Sequence, residues 1–467
     1  MSRRKNPNSA ISDTVLRTDA LTIFHAGVKA ADPYQALKRC LNFDNNQLEI
    51  LLDPNDNNRK RVGEWSKVHL IAFGKAAGAM AKAAQDIVPG VMLYRPALAI
   101  TNYENVITLD NIELLGASHP LPDEAGLKAA KKIAARINSA QKNELVLVLI
   151  SGGASALIPC PVDTITLKEK ITTTELLLAS GATISQINCV RKHLSQLKGG
   201  GMARMAIPAD LHAFILSDVI GDDLSAIASG PTVPDNTCYA DAIEVLKSKS
   251  IWDSVPANIR RHLEAGALGK VPETPKADDP AFNNCSHTLI GSNAISVEAM
   301  LKTSAGLGYE ALLYDDNLCG EAREEAEKWV IHARQLIEKG INHPIALVAG
   351  GETTVTLKGK GRGGRNQEMA LAFAIAAEQH GLNGSWTFLS GGTDGLDGPT
   401  DAAGGIVDQN TIKRLNESAI MPLEMLNNND SYSALKSSQD LLITGATGTN
   451  VADLQVLLIH PSYSTKS

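Results

Sequence analysis

The sequence predicts an α/β protein of two domains, with strands that run into glycine turns and then helices. Three observations carry the prediction. At 467 residues the chain is longer than one hydrophobic core usually organises. Leu145-Val-Leu-Val-Leu-Ile150 is an uninterrupted apolar run, the pattern of a strand buried on both faces of a parallel sheet. The order strand, glycine turn, helix also recurs along the chain, as in α/β folds.

In chain order, Ser12 and Asp13 can cap a helix carrying Val15, Leu16, Ala20, Leu21, Ile23, Phe24 and Val28 at helical spacing. Asp32-Pro33 opens a second helix through Leu41, and Asp53 to Arg61 is a polar surface loop. His69 to Phe73 is a short strand, followed by Gly74-Lys75 and a helix of small residues. That places Lys75 at a strand's carboxyl end, where open α/β sheets bind ligands, although the Walker A spacing is absent. Strands follow at Ala97 to Thr101 and Ile112 to Ala117, the latter ending in Ser118-His119-Pro120, and Asp123-Glu124 open a long helix. His119 is read equally as a ligand contact or a turn residue.

The strand Leu145 to Ile150 feeds Ser151-Gly152-Gly153-Ala154-Ser155. Serine hydroxyls and unhindered N–H groups suit phosphate oxygens. A nucleophile elbow would need a second glycine that this turn lacks. A basic helix with Arg191, Lys192 and His193 ends at Lys198 and three glycines, its charges facing either solvent or a ligand. His212 to Ser217 is a strand leading to Asp218, Asp222 and Asp223, which suit Mg²⁺, a general base or helix capping. A polar, proline-rich stretch over 266–284 has the composition of a linker, so the expected domains are 12–265 and 285–462.

In the second domain, Thr288 to Asn293 is expected to be a strand and turn, with a helix to Leu307 and a strand at Glu310 to Tyr314. Ile345 to Ala349 is expected to be a buried strand, Gly350-Gly351-Glu352 a break, and Thr353 to Leu357 a second short strand. Lys358-Gly-Lys-Gly-Arg-Gly-Gly-Arg365 then precedes an apolar helix. Glycines, Lys358, Lys360, Arg362, Arg365 and a helix N-terminus together make an expected anion site, with a solvated basic turn as the alternative. Ser390 to Gly405 sets Asp394, Asp397 and Asp401 among glycines, and Thr444 to Asp453 leads into a final strand, Leu454 to Ile459.

Composition narrows the function. A net charge of −7 argues against a nucleic-acid binder, and no apolar run approaches the ~20 residues of a membrane span. The basic start MSRRKNPNSA lacks a following apolar region, which argues against a signal peptide and for the cytoplasm. Six scattered cysteines fit reduced thiols. Anion cradles together with carboxylates are the groups that phosphoryl transfer needs, because that chemistry rests on positioning and charge compensation.

The motifs FGKAAGAMA, SHPLPDEAG, LISGGASAL, VRKHLSQLKGGGMAR, LSDVIGDDLSAIASGPT, GGETTVTLKGKGRGGRNQEMAL, SGGTDGLDGPTDAAGG and TGATGTNVADL, in this order over 13–460, resemble the class II glycerate kinase family. The resemblance implies a Rossmann-like N-terminal α/β/α domain and a smaller C-terminal α/β domain with a cleft between them. It also implies transfer of the ATP γ-phosphate to D-glycerate with Mg²⁺, typically at the 2-hydroxyl. Lys75 and Arg365 match the family's essential basic residues and are expected to face each other across the cleft. Ser151, Gly152, Gly153, Ser155, Gly350, Gly351, Glu352, Lys360 and Asp394 are then expected around the nucleotide. Asp218 and Asp222 are expected at the metal and as base, with Asp394 behind them. The expected partners are D-glycerate and ATP, without nucleic acid or membrane, and with homo-oligomerisation left open.

The rival reading is a nicotinamide-dependent hydroxypyruvate reductase, a name sometimes given to relatives. Gly359, Gly361 and Gly364 have the dinucleotide spacing, but the loop carries Lys360 and Arg362 and follows a short hairpin-like strand. A sugar-acid or nucleotide sensor is the third reading, and the aspartates clustered beside phosphate-type loops count against it.

Overall fold

The computed structural model describes residues 13–340 and 343–460, so the opening tail, Ser12 and positions 461–462 lie outside the described residues. Contacts divide the chain into two units, Pro33–Gly291 and the remainder on either side of it.

Six strands form the sheet of the first unit: β1 (Val68–Phe73), β2 (Ala97–Asn102), β3 (Ile112–Ala117), β4 (Leu145–Ile150), β5 (Asp210–Leu216) and β6 (Cys285–Gly291). Their order is β3-β2-β1-β4-β5-β6, and every neighbouring pair is parallel. The chain winds outward from β1 to β3, then returns to the other side of β1 with β4. The carboxyl ends of β1 and β4 therefore flank the switch point, where doubly wound sheets bind ligands.

β1 and β4 are buried at every position, which explains their unbroken apolar runs. Phe73, Val148 and Ile215 on one face pack with Ile133 and Ile137 of the helix Glu124–Asn138. The helix Ala77–Ile87 packs against β1 and β2, and its alanines allow close approach. A helical layer with its own core, including Leu177, Val190 and Leu263, contains Leu167–Ala179, Ile184–His193 and Ala257–Ala267. Thr166 with Glu169, and Thr183 with Gln186, close capping boxes on two of these helices.

A three-stranded antiparallel sheet over Leu41–Asp44, Gln47–Leu51 and Lys60–Gly63 takes in part of what the sequence suggests is a surface loop. Its first hairpin turns at Asn45 and Asn46, whose φ values of 50° and 63° suit asparagine pairs.

The second unit has a mixed sheet of β7 (Glu310–Leu318), β8 (Ile345–Gly351), β9 (Ser385–Gly392), β10 (Gly404–Asp408), β11 (Leu441–Leu442) and β12 (Asp453–His460). The order is β7-β8-β12-β9-β10-β11, parallel only between β7 and β8. β12 is antiparallel to both neighbours, so its first residue, Asp453, pairs with Gly351 and Gly392 at the ends of β8 and β9. Leu16, Ile23 and Phe24 of the helix Asp13–Ala30 pack on one face with Met300 and Val456. Trp329, Met369 and Phe373 cover the other.

These units differ from the expected domains. The apolar stripe of Asp13–Ala30 is buried on the second sheet, so the first helix belongs with the C-terminal part. Residues 266–284 are no linker: Glu273 pairs with His193 at 3.1 Å, and Thr274 donates to Asp235 at 3.0 Å. The strand expected from Thr288 starts at Cys285 and is the edge strand β6 of the first sheet, which moves the boundary to Gly291. Thr353 to Leu357 makes a single bridge, Thr354 to Glu321, in place of a strand. Among the described residues no helix is long and apolar enough to cross a membrane.

Candidate functional site

In the first unit the site is built where the turns after β1 and β4 touch. Gly74 has φ +122°, and a Cβ there would lie 2.2 Å from Ser151 Oγ and 2.4 Å from the Ser151 carbonyl oxygen. Only glycine permits both that backbone and that approach. The turns are joined by Lys75 N–H to the Gly152 carbonyl at 2.8 Å, Ala76 N–H to Ser151 Oγ at 3.0 Å, and Ser151 N–H to the Phe73 carbonyl at 3.1 Å.

Gly153 has φ +80°, and a Cβ there would meet His119 Cδ2 at 3.1 Å and Lys75 Cγ at 3.3 Å. Lys75, His119 and Gly153 are thus one cluster. The Lys75 ammonium has no hydrogen bond or ion pair among the described residues. Burial, then the Lys75 charge, lowers the His119 pKa, against Glu104, and so favours a neutral imidazole.

A Cβ on Gly152 would sit 2.3 Å from Asp218 Oδ2, which puts the Asp218 carboxylate directly over this turn. Asp222 is half-buried in a left-handed turn with φ +54°. Asp223 serves the local turn by accepting from Ser225 N–H at 2.8 Å and from its hydroxyl at 3.0 Å. Among the described residues no group of three or more His, Cys, Asp or Glu could hold a metal. One carboxylate against a phosphate-type turn nevertheless fits Mg²⁺, which takes its remaining ligands from phosphate and water.

Ser155 Oγ accepts from Lys198 Nζ at 2.8 Å and lies 3.2 Å from Ser229 Oγ, whose hydroxyl donates to Asn188 Oδ1 at 2.9 Å. The sequence gives no sign of this network, since Lys198 is 43 residues from Ser155 and Ser229 is 74.

In the second unit Arg365 opens the helix Arg365–Gln379. Its Nε and Nη2 bind both Asp453 oxygens at 2.6 and 3.0 Å, and Nη1 reaches Glu352 Oε1 at 2.6 Å. Burial alone would lower its pKa, but Asp453 and then Glu352 hold the guanidinium charged. Gly350 has a packing role: a Cβ there would lie 1.9 Å from Asn293 Oδ1, and Asn293 donates to the carbonyls of Val451 and Asp453 at 2.8 and 2.9 Å. Gly351 pairs with Asp453, and Asp394 accepts from Leu396 N–H at 3.0 Å.

Over 358–362 the backbone of the expected cradle is engaged within the protein. Lys358 and Gly359 N–H donate to Asn429 Oδ1 at 2.8 and 2.9 Å, Lys360 N–H to Asn428 Oδ1 at 3.1 Å, and Arg362 N–H to Asp430 Oδ1 at 3.2 Å. At the helix start Asn366 and Gln367 N–H donate to the Asp397 carboxylate at 3.2 and 2.9 Å. Burial raises the Asp397 pKa to about 6 against those donors. The Lys360 side chain is exposed, and the Arg362 guanidinium sits 4.7 Å from the Tyr432 ring centre. A dinucleotide pyrophosphate would compete with Asp397 for the Asn366 and Gln367 N–H groups.

The chain matches the model described as domain of unknown function DUF4147 over residues 19–264 and the MOFRL family over residues 345–453. It is 41% identical to glycerate 2-kinase of Pyrococcus horikoshii, over 95% of this chain and 97% of that one. A relative from Agrobacterium vitis, named provisionally as a hydroxypyruvate reductase, is 42% identical over 84% of this chain and 86% of its own length. The solved structure of glycerate kinase from Thermotoga maritima superposes with a TM-score of 0.84 at 38% identity, covering 96% of this chain and 100% of that one. With both family models matched in order, and a relative of this identity aligned almost end to end, the chain belongs to the glycerate 2-kinase family, the class II glycerate kinases.

Proposed function

We propose that the protein is a cytoplasmic, ATP- and Mg²⁺-dependent glycerate 2-kinase that transfers the γ-phosphate to the 2-hydroxyl of D-glycerate. The junction of β1 and β4 carries this reading: the unpaired Lys75 ammonium stands beside the Ser151 to Ser155 turn and the Asp218 carboxylate, at the switch point of a doubly wound sheet. Family membership supports the choice of acceptor.

In this reading Ser151, Gly152, Gly153 and Ser155 hold nucleotide phosphates through hydroxyls and N–H groups. Lys75 compensates charge on the phosphoryl group in flight, which is where a fixed ammonium lowers the barrier most. Asp218 accepts the proton of the attacking hydroxyl and, with Asp222, would hold Mg²⁺. When bound, that ion neutralises phosphate oxygens. Arg365, in the second unit, binds the substrate carboxylate or the transferring phosphate, and Gly350, Gly351, Glu352, Lys360 and Asp394 are assigned to the nucleotide.

The test is ADP formation by the purified protein from D-glycerate and Mg-ATP, with the product identified by ³¹P NMR. Parallel reactions contain hydroxypyruvate with NADH or NADPH. Phosphoglycerate carrying its phosphate at carbon 2 is expected. Nicotinamide oxidation without ADP formation would replace this reading with the reductase one.

A further inference from the structure

Among the described residues, Lys170, Arg191 and Lys198 of the first unit make no ion pair with a carboxylate. Lys170, on the helix Leu167–Ala179, is 6% exposed, and its Nζ is buried without a hydrogen-bond partner. Arg191, on the helix Ile184–His193, makes no ion pair or side-chain hydrogen bond among the described residues. Lys198 is 2% exposed and donates only to uncharged oxygens, Ser155 Oγ at 2.8 Å and the Ala228 carbonyl at 3.2 Å.

The neighbouring charges are disposed differently. Lys192 pairs with Asp235 at 3.3 Å and His193 with Glu273 at 3.1 Å, so the same helix sends two charges to carboxylates and leaves Arg191 without one. Glu169, adjacent to Lys170, is taken by Thr166 and by Asn258 at 2.7 Å. Burial pushes the Cys160 thiol pKa up, which keeps it neutral.

The three cations also act on one another. Burial pulls Lys170 down to about 7, against Cys160 and with Arg191 adding. Burial lowers Lys198 well below its ordinary value, and Lys170 and then Arg191 lower it further. Isolated buried charges are costly unless an opposite charge joins them. Among the described residues no side chain supplies that charge, while Ser155 ties the group to the turn already assigned to a ligand.

We propose that the buried Lys170 and Lys198 and the half-buried Arg191, with the hydroxyls of Ser155 and Ser229, form a receptor for the oxyanion end of the ligand bound at the Ser151 to Ser155 turn. This inference rests on reading that turn as ligand-binding. A carboxylate of the acceptor and a phosphate of the nucleotide share the required chemistry, and binding data separate them.

Calorimetry and thermal shift on the full chain use three probes, D-glycerate, metal-free ADP and inorganic phosphate, with Lys170→Met and Arg191→Gln as variants. Each variant is expected to melt no lower than wild type, because an unpaired buried charge has gone, yet to bind its anion about tenfold or more weakly. Loss for D-glycerate alone assigns the receptor to the carboxylate. Loss for ADP and phosphate assigns it to the nucleotide. If wild type binds a probe and both variants bind it within about twofold of wild type, the receptor is refuted while the turn's role stands. If wild type binds none of the three, the reading of the turn itself fails, and the receptor with it. Should Lys170→Met not fold, Arg191→Gln decides.

Discussion

Replacing Arg365 with Ala tests stability and chemistry together, because this guanidinium is the charge partner of a buried carboxylate. The Asp453 side chain is 1% exposed and takes two Arg365 donors at 2.6 and 3.0 Å. Removing one partner of a buried pair costs about 3–5 kcal/mol, since the other charge stays behind without compensation. Arg365 is itself 34% exposed, so water enters the vacated space and screening brings the cost below that range, to about 2–3 kcal/mol. At about 2–4 °C per kcal/mol for a unit of this size, melting should fall by about 4–12 °C. The double variant Arg365→Ala, Asp453→Asn removes the orphaned charge and should recover most of that loss, whereas kinase turnover should be absent from both variants. Differential scanning calorimetry with the ADP-release assay reads both quantities. Wild-type melting of the single variant, or no recovery in the double one, would show that Asp453 does not depend on Arg365 and would overturn the reasoning.

Lys75→Met should separate the two effects: among the described residues the Lys75 ammonium has no hydrogen-bond or ion-pair partner to abandon, so melting should stay within about 2 °C while turnover falls roughly 10²- to 10³-fold. Gly74→Ala places a Cβ 2.2 Å from Ser151 Oγ on a backbone of φ +122°; urea unfolding should report a loss of about 3 kcal/mol or more, with turnover reduced as the two turns part. The Asp397 pKa lies at about 6, above its ordinary 3.8, so the folded state binds this proton more tightly than the unfolded chain. Its stabilising contribution is therefore greatest below about pH 4 and is lost as pH rises through 6; urea midpoints over that range should fall by the equivalent of about 2–3 kcal/mol in wild type relative to Asp397→Asn.

The parts of this molecule legible in the sequence are those determined locally. An apolar run followed by glycine announces a strand end, and Gly74-Lys75, Ser151 to Ser155 and Asp218 all fall at such ends. Which strand ends meet is a matter of sheet order, and nothing near Lys75 states that β4 lies beside β1. The close approach is written only in Gly74, whose need to be glycine comes from a serine 77 positions away. The first helix illustrates the same limit, because its apolar stripe declares a buried face but not the sheet that buries it. Residues 266–284 misled for a related reason: prolines and charges compose a linker, yet Glu273 and Thr274 hydrogen-bond into the helical layer.

Charge is the property the sequence conveys least well, because pairing decides what a charge can do. Lys358 to Arg365 is the most conspicuous cationic stretch. Asn428, Asn429 and Asp430 take up the N–H groups of 358–362, Asp397 those of Asn366 and Gln367, and Arg365 is bound by two carboxylates. Lys170 lies within the helix Leu167–Ala179 and attracts no notice, but its buried amine has no hydrogen-bond partner among the described residues. Anion affinity follows uncompensated charge rather than charge count, so the stronger claim on a phosphate or carboxylate belongs to Lys75 and the Lys170, Arg191 and Lys198 group. Arg365 can still engage a ligand through Nη1, because Glu352 is 49% exposed and an exposed ion pair yields at a cost of about 1 kcal/mol or less. Asp453, buried and bidentate, keeps the guanidinium oriented while Glu352 gives way.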